Sequence, residues 1–150
     1  MNNHPFCDDQ AWSLLKNHLV ELAQQHIASR FNQVGYELKA DGSLLTEADT
    51  AMQKHTTEWL KSQWPQIAML GEESSPEEQQ DALNQDYCWI IDPIDGTTNF
   101  ANGVPFFSVS LALMVKGEIV AGLVYDPARD ELFAARKGLG AELNHQPIQP

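Results

Sequence analysis

The chain is organised around the sequence Trp89-Ile-Ile-Asp-Pro-Ile-Asp-Gly-Thr-Thr-Asn-Phe100. Residues 87–91 are mostly aromatic or β-branched, which is typical of a buried strand. Pro93 has no N–H group to donate to a neighbouring strand, so the strand is predicted to stop at Asp92. The carboxylates of Asp92 and Asp95 are therefore predicted to lie three positions apart, across a tight turn at the end of a strand.

The residues that follow complete a pattern typical of a binding site. Gly96 allows a sharp turn or a close approach of the backbone to a ligand, and residues 97–99 are predicted to form the first turn of a helix. Carboxylates hold hard cations such as Mg²⁺, and a helix N-terminus holds an anion. The pattern predicts a phosphate held on metal. The alternative is a simple turn, because Asp-Pro and Asp-Gly are common turn dipeptides.

The string from Asp92 to Phe100, directly after Trp-Ile-Ile, resembles the signature of the inositol monophosphatase family, which are Mg²⁺-dependent, lithium-sensitive phosphatases. Residues 71–74, Gly-Glu-Glu-Ser, resemble a second family segment, and residues 46–49 and 135–140 give weaker support. The resemblance covers nearly the whole chain but only the N-terminal half of the family's pattern. Family members add a second α/β domain, which brings one more metal-binding Asp and most of the substrate contacts.

The resemblance implies a role for each residue of the site. Two or three Mg²⁺ ions would be held by the side chains of Glu72, Asp92 and Asp95 and by the backbone carbonyl of Ile94. Glu72 and the Thr97 hydroxyl would orient the attacking water, with Thr97 paired to Asp49. Asp95, Gly96 and Thr97 would form the phosphate site.

Two of these residues have simpler interpretations. Glu72 and Glu73 could be two solvated acids in a loop. Asp49 could complement the dipole at the start of a helix, for which Thr46 is the predicted N-cap.

The function implied is hydrolysis of inositol monophosphate to inositol and phosphate by a complete chain. Relatives with similar metal motifs act on 3′-phosphoadenosine nucleotides, fructose 1,6-bisphosphate or histidinol phosphate, so these substrates stay open. A truncated, non-catalytic module that binds metal or dimerises is the rival interpretation. Because homodimers are usual in the family, a homodimer is expected.

Composition limits the classes of partner. A chain of 150 residues is sufficient for one domain, and its net charge of −12 opposes binding to nucleic acid or to an anionic membrane. A phosphate ester would also be repelled unless bound cations reverse the local potential. No apolar run is long enough to span a membrane and no secretory signal is visible, so a cytoplasmic location is expected. Cys7 and Cys88 are expected to be reduced thiols, and zinc is not expected.

Periodicity predicts the remaining elements. Helices are predicted over residues 8–32, capped by Asp8 or Asp9, and over residues 47–64. The polar stretch at residues 75–86 is predicted to be a surface loop or a short irregular helix. Strands are predicted at residues 67–70, 106–115, 119–125 and 131–135, followed by a β-segment that ends in a turn at residues 144–145.

An antiparallel meander that follows two helices gives an α+β class. The family resemblance implies a fold of two N-terminal helices packed on a mostly antiparallel sheet, which is the first half of the sugar-phosphatase αβαβα sandwich. His18 and His26 are expected at the surface, and His55 is expected to be a packed or rim residue. Arg136 is expected on a solvated strand edge rather than at a phosphate.

Overall fold

A computed structural model of the protein describes residues 4–34, 43–71 and 74–149. The N-terminal helical run ends two residues later than predicted and is not uniform. It consists of α1 (Asp9–Ala23), one turn of π-helix (Gln24–Ala28) and α2 (Ser29–Val34), and it follows a 3₁₀ turn (Pro5–Cys7). Asp8 is the N-cap, as predicted, because its side chain accepts a hydrogen bond from Gln10 N at 3.1 Å.

Helix α3 (Ser43–Gln63) begins four residues earlier than predicted. Thr46 therefore lies inside the helix, and the prediction that it is the N-cap is wrong. The physical reason is that Leu44 and Leu45 pack against the core, which extends the apolar face of the helix by one turn. Residues 35–42, which fall between the two predicted helices, lie outside the described residues.

Within the described residues, seven strands form one sheet in chain order. The first pair is parallel and the later pairs are antiparallel. The strands are β1 (Ala68–Leu70), β2 (Tyr87–Asp95), β3 (Ser108–Val115), β4 (Glu118–Asp126), β5 (Glu131–Arg136), β6 (Gly140–Leu143) and β7 (Gln146–Ile148). The predicted α+β class and meander are confirmed, while β7 was not predicted.

The parallel pair needs a crossover, and the polar stretch after residue 74 supplies it. It contains α4 (Pro76–Leu83), so the short-helix alternative is the one that the structure adopts. Ser75 and Glu78 form a reciprocal capping box at its start: Ser75 Oγ accepts from Glu78 N, and Glu78 Oε2 accepts from Ser75 N, both at 3.1 Å.

Strand β2 does not stop at Asp92, as was predicted, but continues through Pro93 to Asp95. The pairing with β3 shifts in this region, since Asp92 is opposite Ser110 and Asp95 is opposite Ser108. Three steps along β2 thus match two steps along β3, which is a β-bulge. A bulge leaves one residue out of the ladder, so it accommodates a proline that has no N–H to donate.

Helix α3 packs against β2 and α1 packs against β4, and side chains of both helices join those of the strands in one buried core. Phe6, in the 3₁₀ turn, is fully buried, and its ring centroid lies 4.8 Å from that of Trp64 and 5.3 Å from that of Trp89. On other strand positions Val124 and Phe133 remain exposed. The core therefore joins the N-terminal 3₁₀ turn to Trp89 in the first half of β2.

Two polar residues lie deeper than predicted. Arg136 donates to Phe6 O at 3.0 Å and to Asp9 Oδ1 at 2.9 Å, and its strand, β5, lies between β4 and β6 rather than at an edge. His26 is buried and stacks on the ring of His55, which lies at the rim. The predictions of a solvated Arg136 and a surface His26 are wrong, because distant segments cover both side chains.

The two cysteines are as predicted: Cys7 is exposed, Cys88 is buried, and they form no disulfide. Burial raises the pKa of the Cys88 thiol. Among the helices that the structure describes, none combines the length and apolar character needed to cross a bilayer.

Candidate metal and phosphate site

The predicted carboxylates lie at the carboxyl end of β2. Asp92 is half-buried and Asp95 is exposed, while the side chain of Ile94 between them is buried in the core. In a regular strand, residues three positions apart point to opposite faces. The bulge between Asp92 and Asp95 interrupts that alternation. The interruption falls between the two carboxylates that are predicted to share one metal site.

The chain turns at Gly96 and enters the short helix α5 (Thr97–Ala101), as predicted. Gly96 has a left-handed backbone with φ of 93° and is the N-cap residue, and Phe100 N donates to its carbonyl at 3.1 Å. A Cβ atom on this residue would lie 2.9 Å from Phe106 O and 3.2 Å from Phe107 Cα. The sharp turn expected at Gly96 is therefore present, and it brings Gly96 into close contact with the backbone that leads into β3.

An open cleft of about 380 Å³ adjoins this turn. Asp95, Gly96 and Asn99 line one side of it. The other lining residues come from the segment before β3 and its first residue, the end of β4, the turn after it and β5: Phe106, Phe107, Ser108, Val124, Asp126, Arg129 and Phe133. The end of β2 thus meets a cavity that has both charged and aromatic walls.

Sequence reasoning missed the part that Asp126 and Arg129 take in this cleft, since they fall between the strands predicted at residues 119–125 and 131–135 and were given no role. Asp126 Oδ1 accepts from the backbone N of Ala128 and of Arg129, each at 3.0 Å. The Arg129 guanidinium lies 3.5 Å from Asp126 and 5.6 Å from the Phe106 ring centroid. The predicted meander was the sequence feature that could have placed these two residues in the cleft, because it brings the end of β4 beside the start of β3.

The segment with Glu72 follows β1. Because β1 and β2 are parallel and Leu70 is opposite Ile90, the carboxyl ends of the two strands point to the same end of the sheet. Gly71 and Ser74 are joined by two hydrogen bonds of 3.1 Å: Gly71 N donates to Ser74 Oγ, and Ser74 N donates to Gly71 O. Glu72 itself lies outside the described residues, so its role stays a prediction.

This geometry can be compared with known proteins. The sequence pattern of the inositol monophosphatase family matches residues 9–150. The chain belongs to the inositol monophosphatase family. It is 40% identical over 144 residues to inositol-1-monophosphatase of Synechocystis sp., covering 95% of this chain and 49% of that protein. It is 44% identical over 107 residues to Nus factor SuhB of Pasteurella multocida, covering 71% of this chain and 39% of that protein.

Solved structures of the family share the fold. Inositol monophosphatase-II from Staphylococcus aureus MSSA476 superposes with a TM-score of 0.74 at 29% identity, over 93% of this chain and 50% of that chain. Mycobacterium tuberculosis SuhB gives a TM-score of 0.71 at 31% identity, over 95% and 49%. The chain spans about half the length of these relatives.

Asp49, to which the family resemblance gave a role beside Thr97, is half-buried on α3. This helix packs against both β2 and α5. One turn further along the helix, Gln53 Nε2 lies 2.9 Å from the position that a Cβ on Gly71 would take. Helix α3 therefore runs past the carboxyl ends of β1 and β2, and the specific role of Asp49 stays a prediction.

The predicted donors at the end of β2 are the oxygens of two carboxylates and a backbone carbonyl, a set whose chemistry fits a hard cation such as Mg²⁺. Over residues 4–34, 43–71 and 74–149, no three His, Cys, Asp or Glu side chains form a group that could hold a metal ion. That range does not contain Glu72, which is the third carboxylate of the predicted set. The described residues thus supply two of the three predicted acidic ligands.

Proposed function

We propose that this chain is the N-terminal part of a Mg²⁺-dependent phosphomonoesterase that hydrolyses inositol monophosphate to inositol and phosphate. The observation that carries the proposal is the position of Asp95 and Gly96, which line an open cleft at the end of β2 in a chain of the inositol monophosphatase family. Because the chain spans about half the length of its relatives, the activity belongs to a complete chain.

The proposed metal ligands are Glu72, Asp92, Asp95 and the carbonyl of Ile94, for two or three Mg²⁺ ions. When bound, Mg²⁺ stabilises the charge that develops on the phosphate oxygens and lowers the pKa of a water molecule. Phosphate-monoester hydrolysis has one of the largest uncatalysed barriers, so this charge stabilisation is the largest contribution needed.

The protein's own groups orient the reactants. Glu72 and the Thr97 hydroxyl would orient the attacking water, and Asp49 would hold the Thr97 hydroxyl in place. The backbone N–H groups of Gly96 and Thr97 would hold phosphate oxygens at the start of α5. Since the chain carries a net charge of −12, an anionic ester would enter this site only with cations present.

A nucleoside monophosphate is the second candidate substrate, and the walls of the cleft favour it. Phe106, Phe107 and Phe133 line the cavity beside Asp95, and aromatic side chains suit a base better than a polyol. A Staphylococcal relative, solved as 2′AMP-bound SaIMPase-II, is 29% identical and superposes with a TM-score of 0.65. The net charge gives no support for binding to a nucleic acid polymer.

Phosphate release from inositol monophosphate and from 2′-AMP, with and without Mg²⁺ and with added lithium, tests the proposal. In a complete chain, Asp95→Asn should abolish the Mg²⁺-dependent release while the urea unfolding curve stays unchanged. Asp81→Asn, at an exposed acid of α4, is the matched control and should retain activity. Near-normal turnover of Asp95→Asn would overturn the assignment of Asp95 as a ligand.

The rival, a non-catalytic module that binds metal or dimerises, concerns residues 1–150 alone. Measurable Mg²⁺-dependent release by these residues would refute it. Binding of Mn²⁺ without any release, by residues 1–150 and by a complete chain alike, would favour it over the enzyme.

A further inference from the structure

Asn99 makes a contact that connects α5 to the segment before β3. Its side-chain Nδ2 donates to Phe106 O at 2.8 Å, and its backbone carbonyl accepts from Val104 N, also at 2.8 Å. Phe106 N in turn donates to Val104 O at 2.7 Å. Asn99 therefore holds both ends of the bend at residues 104–106 through one side chain and one carbonyl.

The carbonyl that Asn99 binds is the one that lies against Gly96. A Cβ on Gly96 would come within 2.9 Å of Phe106 O, so the two backbones are already in close contact. Asp95, immediately before Gly96, is opposite Ser108 in the β2–β3 pairing. A shift of residues 106–108 would therefore act on Gly96 by contact and on Asp95 through the ladder.

Asn102 provides an internal comparison. Its Nδ2 also donates to a backbone carbonyl at 2.8 Å, but the acceptor is Thr98 O, within the same helix. Its hydrogen bond therefore stabilises the helix end locally and does not reach residues 106–108. Asn99 and Asn102 have the same chemistry and similar bond lengths, and they differ in which segment the bond connects.

We propose that Asn99 is a positioning residue: by holding Phe106 O against Gly96, it fixes the turn that presents Asp95 to the cleft. The metal-binding part of this inference rests on the proposed function. The fixing of the turn does not, because it follows from the hydrogen bonds alone. Asn99 acts through Gly96 and Asp95 and is not assigned any contact with substrate.

The experiment compares the unaltered chain with Asn99→Ala, Asn99→Ser and Asn102→Ala. The Ser variant keeps a polar group too short to reach Phe106 O, and it serves if the Ala variant does not fold. Three quantities are measured for each: the backbone amide resonances of Gly96 and Thr97, the affinity for Mn²⁺ by electron paramagnetic resonance, and the urea unfolding curve.

Asn99→Ala and Asn99→Ser should move the Gly96 and Thr97 resonances and weaken Mn²⁺ binding about three- to tenfold, the range expected for one hydrogen bond. Asn102→Ala should leave both unchanged. The proposal is overturned if either Asn99 variant behaves like Asn102→Ala, or if the resonances move while Mn²⁺ affinity stays the same.

Failure of the proposed function gives a different result. If the unaltered chain, whether residues 1–150 or a complete chain, binds no Mn²⁺, the proposed metal site is wrong. The fixing of the turn by Asn99 is then decided by the Gly96 and Thr97 resonances alone. An unmoved pair of resonances overturns it, and a moved pair supports it.

Discussion

The imidazole rings of His26 and His55 lie parallel, with centroids 4.3 Å apart and 4° between the ring planes. His26 belongs to the π-turn and His55 to α3, so the stack joins two helical segments. Arg30 donates to His26 O at 2.7 Å, and Glu47 lies 3.6 Å from the Arg30 guanidinium. Burial lowers the pKa of His26, and the neighbouring His55 and Arg30 lower it further.

This arrangement predicts that acid weakens the fold at this position. An unfolded histidine binds a proton near pH 6.5, whereas folded His26 binds it only at lower pH, so the unfolded state holds more protons in between. The free energy of unfolding should therefore fall as the pH is lowered from about 7.5 to about 5. Burial also lowers the pKa of His4 and of His18, which contribute with the same sign.

The contribution of the pair is measured by urea unfolding across that pH range. His26→Gln should reduce the loss of stability on acidification. The comparison is with the unaltered chain, and an equal loss of unfolding free energy on acidification in both chains would contradict the prediction.

Gly96→Ala should destabilise the protein more than the same change at another left-handed glycine. Any L-residue at φ of 93° costs about 1–2 kcal/mol, and here the new methyl would also press on Phe106 O. Gly117→Ala is the matched control, because Gly117 has φ of 82° and a Cβ added there would have no atom within 4 Å. Equal loss of unfolding free energy in both variants would show that the close contact at Gly96 has no energetic effect.

Glu142→Ala should be strongly destabilising because it would leave the charge of Lys16 buried without its partner. The Lys16 ammonium is bonded to Glu142, which also accepts from Trp12 Nε1 at 3.2 Å, and the Lys16 side chain is only 5% exposed. Removing one partner of a buried pair costs about 3–5 kcal/mol. Urea unfolding should show a loss near the lower end of that range, since Glu142 is 22% exposed.

The exposed pair of Lys137 and Glu118 is the control for that measurement. Both side chains are close to half exposed, and such pairs contribute about 0–1 kcal/mol. Glu118→Ala should therefore have little effect on unfolding. A double-mutant cycle of Lys16→Ala with Glu142→Ala separates the pair energy from lost packing, and a coupling no larger than that of the exposed pair would refute the argument.

Local chemistry made several features predictable. The apolar run before Asp92 gave a strand, Gly96 gave the turn, and the residues after it gave a short helix. Strand alternation and turn residues gave the meander. The prediction failed at Pro93, where the strand continues, because the missing N–H is absorbed by a bulge that depends on pairing with β3.

The sequence by itself determined the family, the α+β class and the turn at Gly96 that leads from a strand into a short helix, because these depend on residue types at short spacings. Tertiary structure alone decided that Arg136 and His26 are covered, that Asn99 reaches Phe106 O, and that Asp126 and Arg129 share a cleft with Asp95. Those relationships depend on which distant segments are brought together by sheet register and helix packing, and single-sequence periodicity carries no information on either.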